Sequence, residues 1–259
     1  MTTTQEPTRE LRRLAIRIDY GLGQYLAARG NWALKSKWEA PPYGWSLSNL
    51  ALRHAQSTVT LAKTDMVLAP SAWVTARAAT EAAARCLWLL QPEDEWQREA
   101  RWLALLHEGA RLGKRKETKD IPTFVAQCEQ IEEFAEAVAA ELPEGVSVPR
   151  MDSIQSILAA EADGLALFYV MASQYNHATE LATRSWRVNL GIDATFGEFI
   201  GAKDWLQPVW MAYLSFRITA LRLIELKGDG PSAILELADQ QADEAREAFA
   251  ASLQAQETT

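Results

Sequence analysis

The chain has 259 residues, 48% of them hydrophobic and 23% charged, which is enough apolar bulk to bury an ordinary core without disulfides or metal. A net charge of -8 excludes a surface built broadly for nucleic acid and leaves room only for a local basic patch. Two cysteines, Cys86 and Cys128, are too few for a disulfide framework and lack metal-ligand spacing, so both read as small apolar residues in a reducing compartment.

The opening residues, MTTTQEPTRELRR, hold no apolar run of the signal-peptide kind. The most apolar stretch, residues 165–172, is far shorter than a membrane span. A cytoplasmic protein without a membrane partner is expected. Residues 1–8 read as a polar tail. From Arg9 the apolar positions Leu11, Leu14, Ala15, Ile18, Leu22, Tyr25 and Leu26 have helical spacing, ending at Gly30-Asn31. Arg9, Arg12, Arg13 and Arg17 on that helix are either a solvated face or a small basic arm for phosphate.

Residues 31–46, NWALKSKWEAPPYGWS, read as a loop whose tryptophans pack over the end of a bundle. Ser46 or Ser48 can cap a helix running to about Leu68, with His54 in a structural role. Ser71 opens a long helix that Gln91-Pro92 closes, because the residue before a proline is pushed out of helical geometry. A helix over residues 93–111 follows, then the basic loop Lys114-Arg115-Lys116. Pro122 or Thr123 begins the next helix, with Glu129, Glu132, Glu133 and Glu136 on its polar face. Pro143, Gly145 and Pro149 break the chain, and a short helix is expected over residues 152–162. A helix from Gly164 to about Leu190 ends at Gly191, and residues 192–201 form a connector. Residues 204–227 form another long helix, and Ser232 caps a last one running towards residue 253. Residues 254–259 are again a polar tail. No alternating strand pattern of useful length occurs. The expectation is an all-α, single-domain bundle of seven to eight helices over residues 9–253.

Two of these helices carry polar files. Arg77, Glu81 and Arg85 lie at steps of four and share one face, flanked by Trp73 and Trp88. The opposite face, with Thr75, Ala78, Ala79, Ala82, Ala83 and Cys86, is small enough for a neighbouring helix to approach closely. The file is either a surface ion-pair ladder or a partly buried network beside a cleft. Tyr169, Ser173 and His177 repeat the spacing, with Asn176, Glu180, Arg184 and Arg187 on the same stripe. Leu167, Val170, Met171, Ala178 and Leu181 on the other side are expected to face the core. An imidazole with a hydroxyl one turn away can shuttle a proton; a hydrogen-bonded helix surface is the plainer alternative.

The segment YVMASQYNHATEL, with the Arg77-x3-Glu81 helix before it, resembles the histidine helix of HEPN-type helical domains and of a bacterial helical family carrying Arg-x3-Glu and Tyr-x3-Ser-x3-His helices. The likeness covers roughly residues 70–190. It implies an α-helical and usually dimeric protein, and many HEPN domains are metal-independent ribonucleases of toxin–antitoxin and phage-defence systems. On that resemblance His177, Ser173 and Tyr169 would be catalytic, and Arg77, Glu81, Arg85 and Arg184 would bind substrate. The HEPN arginine that should precede the histidine is absent, since Val170, Met171 and Ala172 stand there. Arg77, Arg85 or Arg184 would have to supply the charge. Arg101 and His107 match the Arg-to-His spacing, but on a continuous helix they point about 120° apart and read as chance.

No cofactor is expected. His177 to Glu180 reverses the di-metal Glu-x-x-His order, there is no Walker loop, and Gly21-Leu22-Gly23 has no strand before it. Two functions stay open: a HEPN-like protein acting on RNA or a nucleotide phosphate, with a homodimer as its implied assembly, or a non-catalytic helical binding or regulatory protein with a structural Arg-Glu/His network.

Overall fold

A computed structural model describes residues 4–30, 32, 35–183, 188–189, 196–197, 200–228 and 230–257. The architecture is an all-α bundle. Its helices are α1 (Arg9–Arg29), α2 (Ala40–Thr64), α3 (Ala69–Leu90), α4 (Glu95–Ala110), α5 (Pro122–Ala139), α6 (Ile154–Glu161), α7 (Asp163–Asn176), the single turn α8 (Glu180–Thr183), α9 (Leu206–Lys227) and α10 (Ser232–Glu257). Among the described residues the only strands are Val188–Asn189 and Phe196–Gly197, which pair antiparallel. None of the described helices is long and apolar enough to cross a membrane.

Helix starts follow their local chemistry where a side chain is within reach. Thr8, Asp94 and Ser153 each accept a hydrogen bond from the backbone N–H three residues on, at the heads of α1, α4 and α6. Gly228 closes α9 in the left-handed conformation, at φ 74°, where a side chain would be strained. Residues read as a polar tail are anchored from Gln5 onward. The Gln5 N–H donates to Asp65 Oδ1 at 2.9 Å, its carbonyl accepts from Met66 N at 2.8 Å, and its side-chain amide donates to the Ile200 carbonyl at 2.8 Å.

Helix α2 departs from the expected loop over residues 31–46. It begins at Ala40, with prolines in its first turn, where a missing N–H costs nothing. The open amides of that turn are met from a distance: Glu99, on α4, accepts from Ala40 N at 2.7 Å and from Glu39 N at 3.2 Å. Burial pushes the Glu99 carboxyl above its ordinary range, and those two N–H donors pull it partly back. The tryptophans of this region do pack at the bundle end. Trp32 and Trp45 meet at 5.4 Å with the Arg29 guanidinium 4.4 Å from the Trp45 ring, and Trp38 meets Trp96 edge-on at 4.6 Å.

Helix α3 is the central element. Its alanine face is buried against α2 and α9, and α7 covers another side. The close approach is visible at Gly44 of α2, where an added Cβ would lie 2.7 Å from Leu90 Cδ1. Three hydroxyl pairs stitch these helices: Ser48–Thr219 at 3.0 Å, Thr58–Thr75 at 2.8 Å and Thr80–Ser215 at 2.7 Å. Cys86 is fully buried and its thiol, pushed up to about 12 by desolvation, donates to the Gly44 carbonyl at 3.4 Å. Cys128 is also buried, so both cysteines behave as core residues.

Helix α7 corrects the sequence reading twice. It ends at Asn176, far short of residue 190, with His177 as its C-cap. Ala178 then takes φ 48°, turning the chain before α8. The helix is also rolled over: Leu167 is 66% exposed and Val170 40%, while Tyr169 is half-buried on the inner side beside Leu165 and Ala172. Tyr169 and Ser173 face the protein, where Arg77 and Glu81 of α3 meet the tyrosine, while Asn176 and His177 are exposed.

Candidate functional site

The two files meet at the Tyr169 hydroxyl. It accepts from Arg77 Nη2 at 3.2 Å and donates to Glu81 Oε1 at 3.2 Å, while Arg77 and Glu81 pair directly at 3.0 Å. The Arg77 guanidinium carbon sits 5.1 Å from the centroid of the Tyr169 ring. The Arg77 side chain is only 15% exposed against 38% for Glu81, so this is a partly buried network rather than an open surface ladder. Arg77 Nε is buried with no partner. Beside this clasp Trp73 stacks on Tyr175, with centroids 5.3 Å apart and planes 6° from parallel.

Arg85 leaves the file. Rather than sharing Glu81 with Arg77, it forms a fork with Glu108 of α4, Nη2 to Oε1 at 2.9 Å and Nη1 to Oε2, and Nη1 also lies 3.7 Å from Met151 Sδ. The paired hydrogen bonds hold Glu108 below the ordinary carboxylate range and raise Arg85 further. Trp88, at the end of the same face, is buried with the Arg101 guanidinium 5.0 Å from its ring.

The His177 end of the second file is different. Ser173 Oγ donates to the Tyr169 carbonyl of its own helix at 2.8 Å, not to an imidazole. His177 is exposed, and its backbone N–H closes α7 on the Ser173 carbonyl at 3.1 Å. Eight residues separate it from Tyr169, a rise of about 12 Å along the axis. The Arg77 guanidinium is held by Tyr169 and Glu81, and His177 takes no part in that clasp. With α7 ended at Asn176, Glu180 no longer shares the stripe, and Arg184, Arg187 and Gly191 lie outside the described residues. No group of three or more metal-capable side chains occurs among the described residues.

Arg101 and His107 look in different directions. Arg101 donates to the Trp88 carbonyl and, at 2.8 Å, to Gln91 Oε1, closing the C-terminus of α3. His107 instead lines a cleft of about 530 Å³ between α4, α5 and the chain at residues 148–151, together with Glu108, Arg111, Glu132 and Arg150.

Four residues outside the sequence-derived set shape this region: Glu99, Glu108, Tyr175 and Met151. Glu99 carried a signal, an acid one turn before Leu103 in the apolar stripe of α4, where an unpaired charge would be costly. The other three show only through their partners on α3. Comparison with family models, with curated proteins and with solved structures gave no match in any of the three.

Proposed function

We propose that the chain is a non-catalytic helical binding or regulatory protein, in which the Arg77–Tyr169–Glu81 clasp is a structural network. The observation that carries this reading is the clasp itself: the tyrosine hydroxyl closes the ion pair from a motif 92 residues away, so Arg77 Nη2, Glu81 Oε1 and the Tyr169 hydroxyl are used on one another. His177, which a hydrolytic reading needs as acid and base, stands at an exposed helix end about 12 Å beyond, with no hydroxyl or carboxylate among the described residues bonded to its imidazole.

A second reading has one observation in its favour. The Arg-x3-Glu and Tyr-x3-Ser-x3-His segments do come together, as the likeness to HEPN-type domains would require. In that case the chain is a HEPN-like toxin or phage-defence protein acting on RNA or a nucleotide phosphate, the clasp orients α7, and the cation serving His177 comes from Arg184 or a second copy in a homodimer.

One experiment separates them. Wild type and His177→Ala are expressed in a bacterial host, and growth and total RNA integrity are followed. The binding reading expects the two to behave alike. Growth arrest and RNA loss with wild type, abolished by His177→Ala, would replace it with the ribonuclease reading.

A further inference from the structure

The basic loop after α4 is a sequence feature that the clasp leaves unused, and its Lys114 pairs with Glu132 in the cleft lined by His107. Charge accounting in that cleft is uneven. Glu108 is taken by the Arg85 fork, and Glu132 by Lys114, whose Nζ lies 2.7 Å from Glu132 Oε1. Arg111 and Arg150 also line the cleft, both exposed, and neither forms an ion pair or a side-chain hydrogen bond with a described residue. In a chain with a net charge of -8, two guanidinium groups line one concavity outside any ion pair among the described residues, Arg111 near enough to help hold the Glu108 carboxyl low.

The wall opposite α4 adds donors of another kind. Residues 146–153 belong to no helix or strand, and the backbone N–H groups of Val148, Arg150 and Met151 make no hydrogen bond with a described residue. Amides left open in an extended segment beside arginines suit an acceptor-rich anion. The strap is held in place, because Met151 and Val148 pack against the core and Arg85 reaches Met151 Sδ. Ala104, Val148, Pro149 and Met151 give the same cleft an apolar side.

We infer that this cleft binds a small phosphate monoester of mononucleotide size, the phosphate between Arg111 and Arg150 and the organic part against Pro149 and Met151. Two guanidinium groups and open amides match the charge and acceptor count of a phosphate dianion better than those of a single carboxylate. A volume of about 530 Å³ falls in the range of small-molecule sites and is far too small for a folded nucleic acid. Arg85 is a positioning residue here, setting Glu108 and the strap without reaching the phosphate. The inference deepens the binding reading above by naming a ligand class, and its site is separate from His177.

The test is calorimetric titration of the full chain with adenosine 5′-monophosphate, adenosine and inorganic phosphate at low salt. The monophosphate is expected to bind, inorganic phosphate to compete with it, and adenosine to bind at least tenfold more weakly. Arg111→Gln and Arg150→Gln should each weaken the monophosphate about tenfold, with an unchanged melting temperature because both side chains are exposed. Arg53→Gln, on α2, should bind as wild type does. Arg85→Gln should weaken binding less than either cleft arginine, and the loss should be recovered in part by Arg85→Lys. Equal binding of adenosine and the monophosphate, wild-type affinity in both cleft variants, or binding of an oligonucleotide with none of the monophosphate would each overturn the site. His177→Ala should bind the monophosphate as wild type does, so a ribonuclease result at His177 and a failure of this cleft are read separately.

Discussion

Helix α3 shows two kinds of interior on its two sides. Towards α2 and α9 it presents alanines and threonines, and its threonine hydroxyls face other hydroxyls, Thr75 with Thr58 and Thr80 with Ser215, while the Cys86 thiol donates to the Gly44 carbonyl. Towards α7 and α4 it presents Arg77, Glu81 and Arg85, met by a tyrosine and a carboxylate at the edge of solvent. The first side is held by close approach and leaves little room for adjustment. The second is held by long side chains that can regroup, and each pair there keeps part of its hydration. Stability should therefore concentrate on the alanine side, and chemistry, if there is any, on the charged side.

The strongest way to break that contrast is at Gly44. A valine there would put branched carbon into the space of Leu90, whose Cδ1 lies 2.7 Å from even a single added Cβ. We expect Gly44→Val to lower the unfolding free energy by about 3 kcal/mol in urea titration. A loss under about 1 kcal/mol would mean that α2 and α3 can part without cost, and the contrast would fail. Next in size is Thr80→Val, which keeps shape and removes one buried hydroxyl from the Thr80–Ser215 pair. Ser215 retains its bond to the Met211 carbonyl at 2.8 Å, so the expected loss is about 1 kcal/mol.

The alanine side could be read from residues alone, because small residues at helical spacing have one use in a bundle. The positions of Arg77, Glu81 and Tyr169 were legible for the same reason. What could not be read was which way α7 rolls. Leu167 and Val170 look like core residues by themselves and are exposed only because Tyr169 is drawn inward by a pair on α3. The end of α7 carried no glycine or proline, since the turn is made by Ala178 at a positive φ that alanine seldom adopts. Helix α2 began early because Glu99, about 60 residues away in the chain, supplies its cap. These are tertiary decisions, and each overrode a correct local signal.

Two carboxylates of α4 sharpen the comparison through pH. Glu108 is held low by Arg85, so its contribution to stability is present above the ordinary glutamate range and is lost as pH falls through its lowered folded value. Glu99 is raised by burial, so it binds its proton more tightly folded than unfolded, and its contribution weakens as pH rises from the unfolded value through the folded one. The ordinary value is 4.5 for both, and carbon-detected NMR should find Glu108 titrating below it and Glu99 above. Reversal of that order would mean that the Arg85 fork or the α2 cap is absent in solution. Glu108→Gln should cost no more than about 1 kcal/mol near neutral pH, because Arg85 and Glu108 are both partly exposed.

The smallest effect on stability bears most on function. Tyr169→Phe removes the hydroxyl that joins the two files yet leaves Arg77 and Glu81 paired on one helix at 3.0 Å. An i,i+4 ion pair with one half-exposed partner persists without help, and α7 keeps its ring packing through Tyr175 on Trp73. The expected loss is about 0.5 kcal/mol. If the clasp only joins helices, Tyr169→Phe and His177→Ala should both leave the growth and RNA readouts of the wild type unchanged. If the clasp orients α7 for chemistry at its far end, Tyr169→Phe should reduce wild-type toxicity far more than half a kilocalorie of stability could explain. A stability change measured beside the growth readout on the same variant is therefore the experiment in which the charged side of α3 shows whether it is scaffold or site.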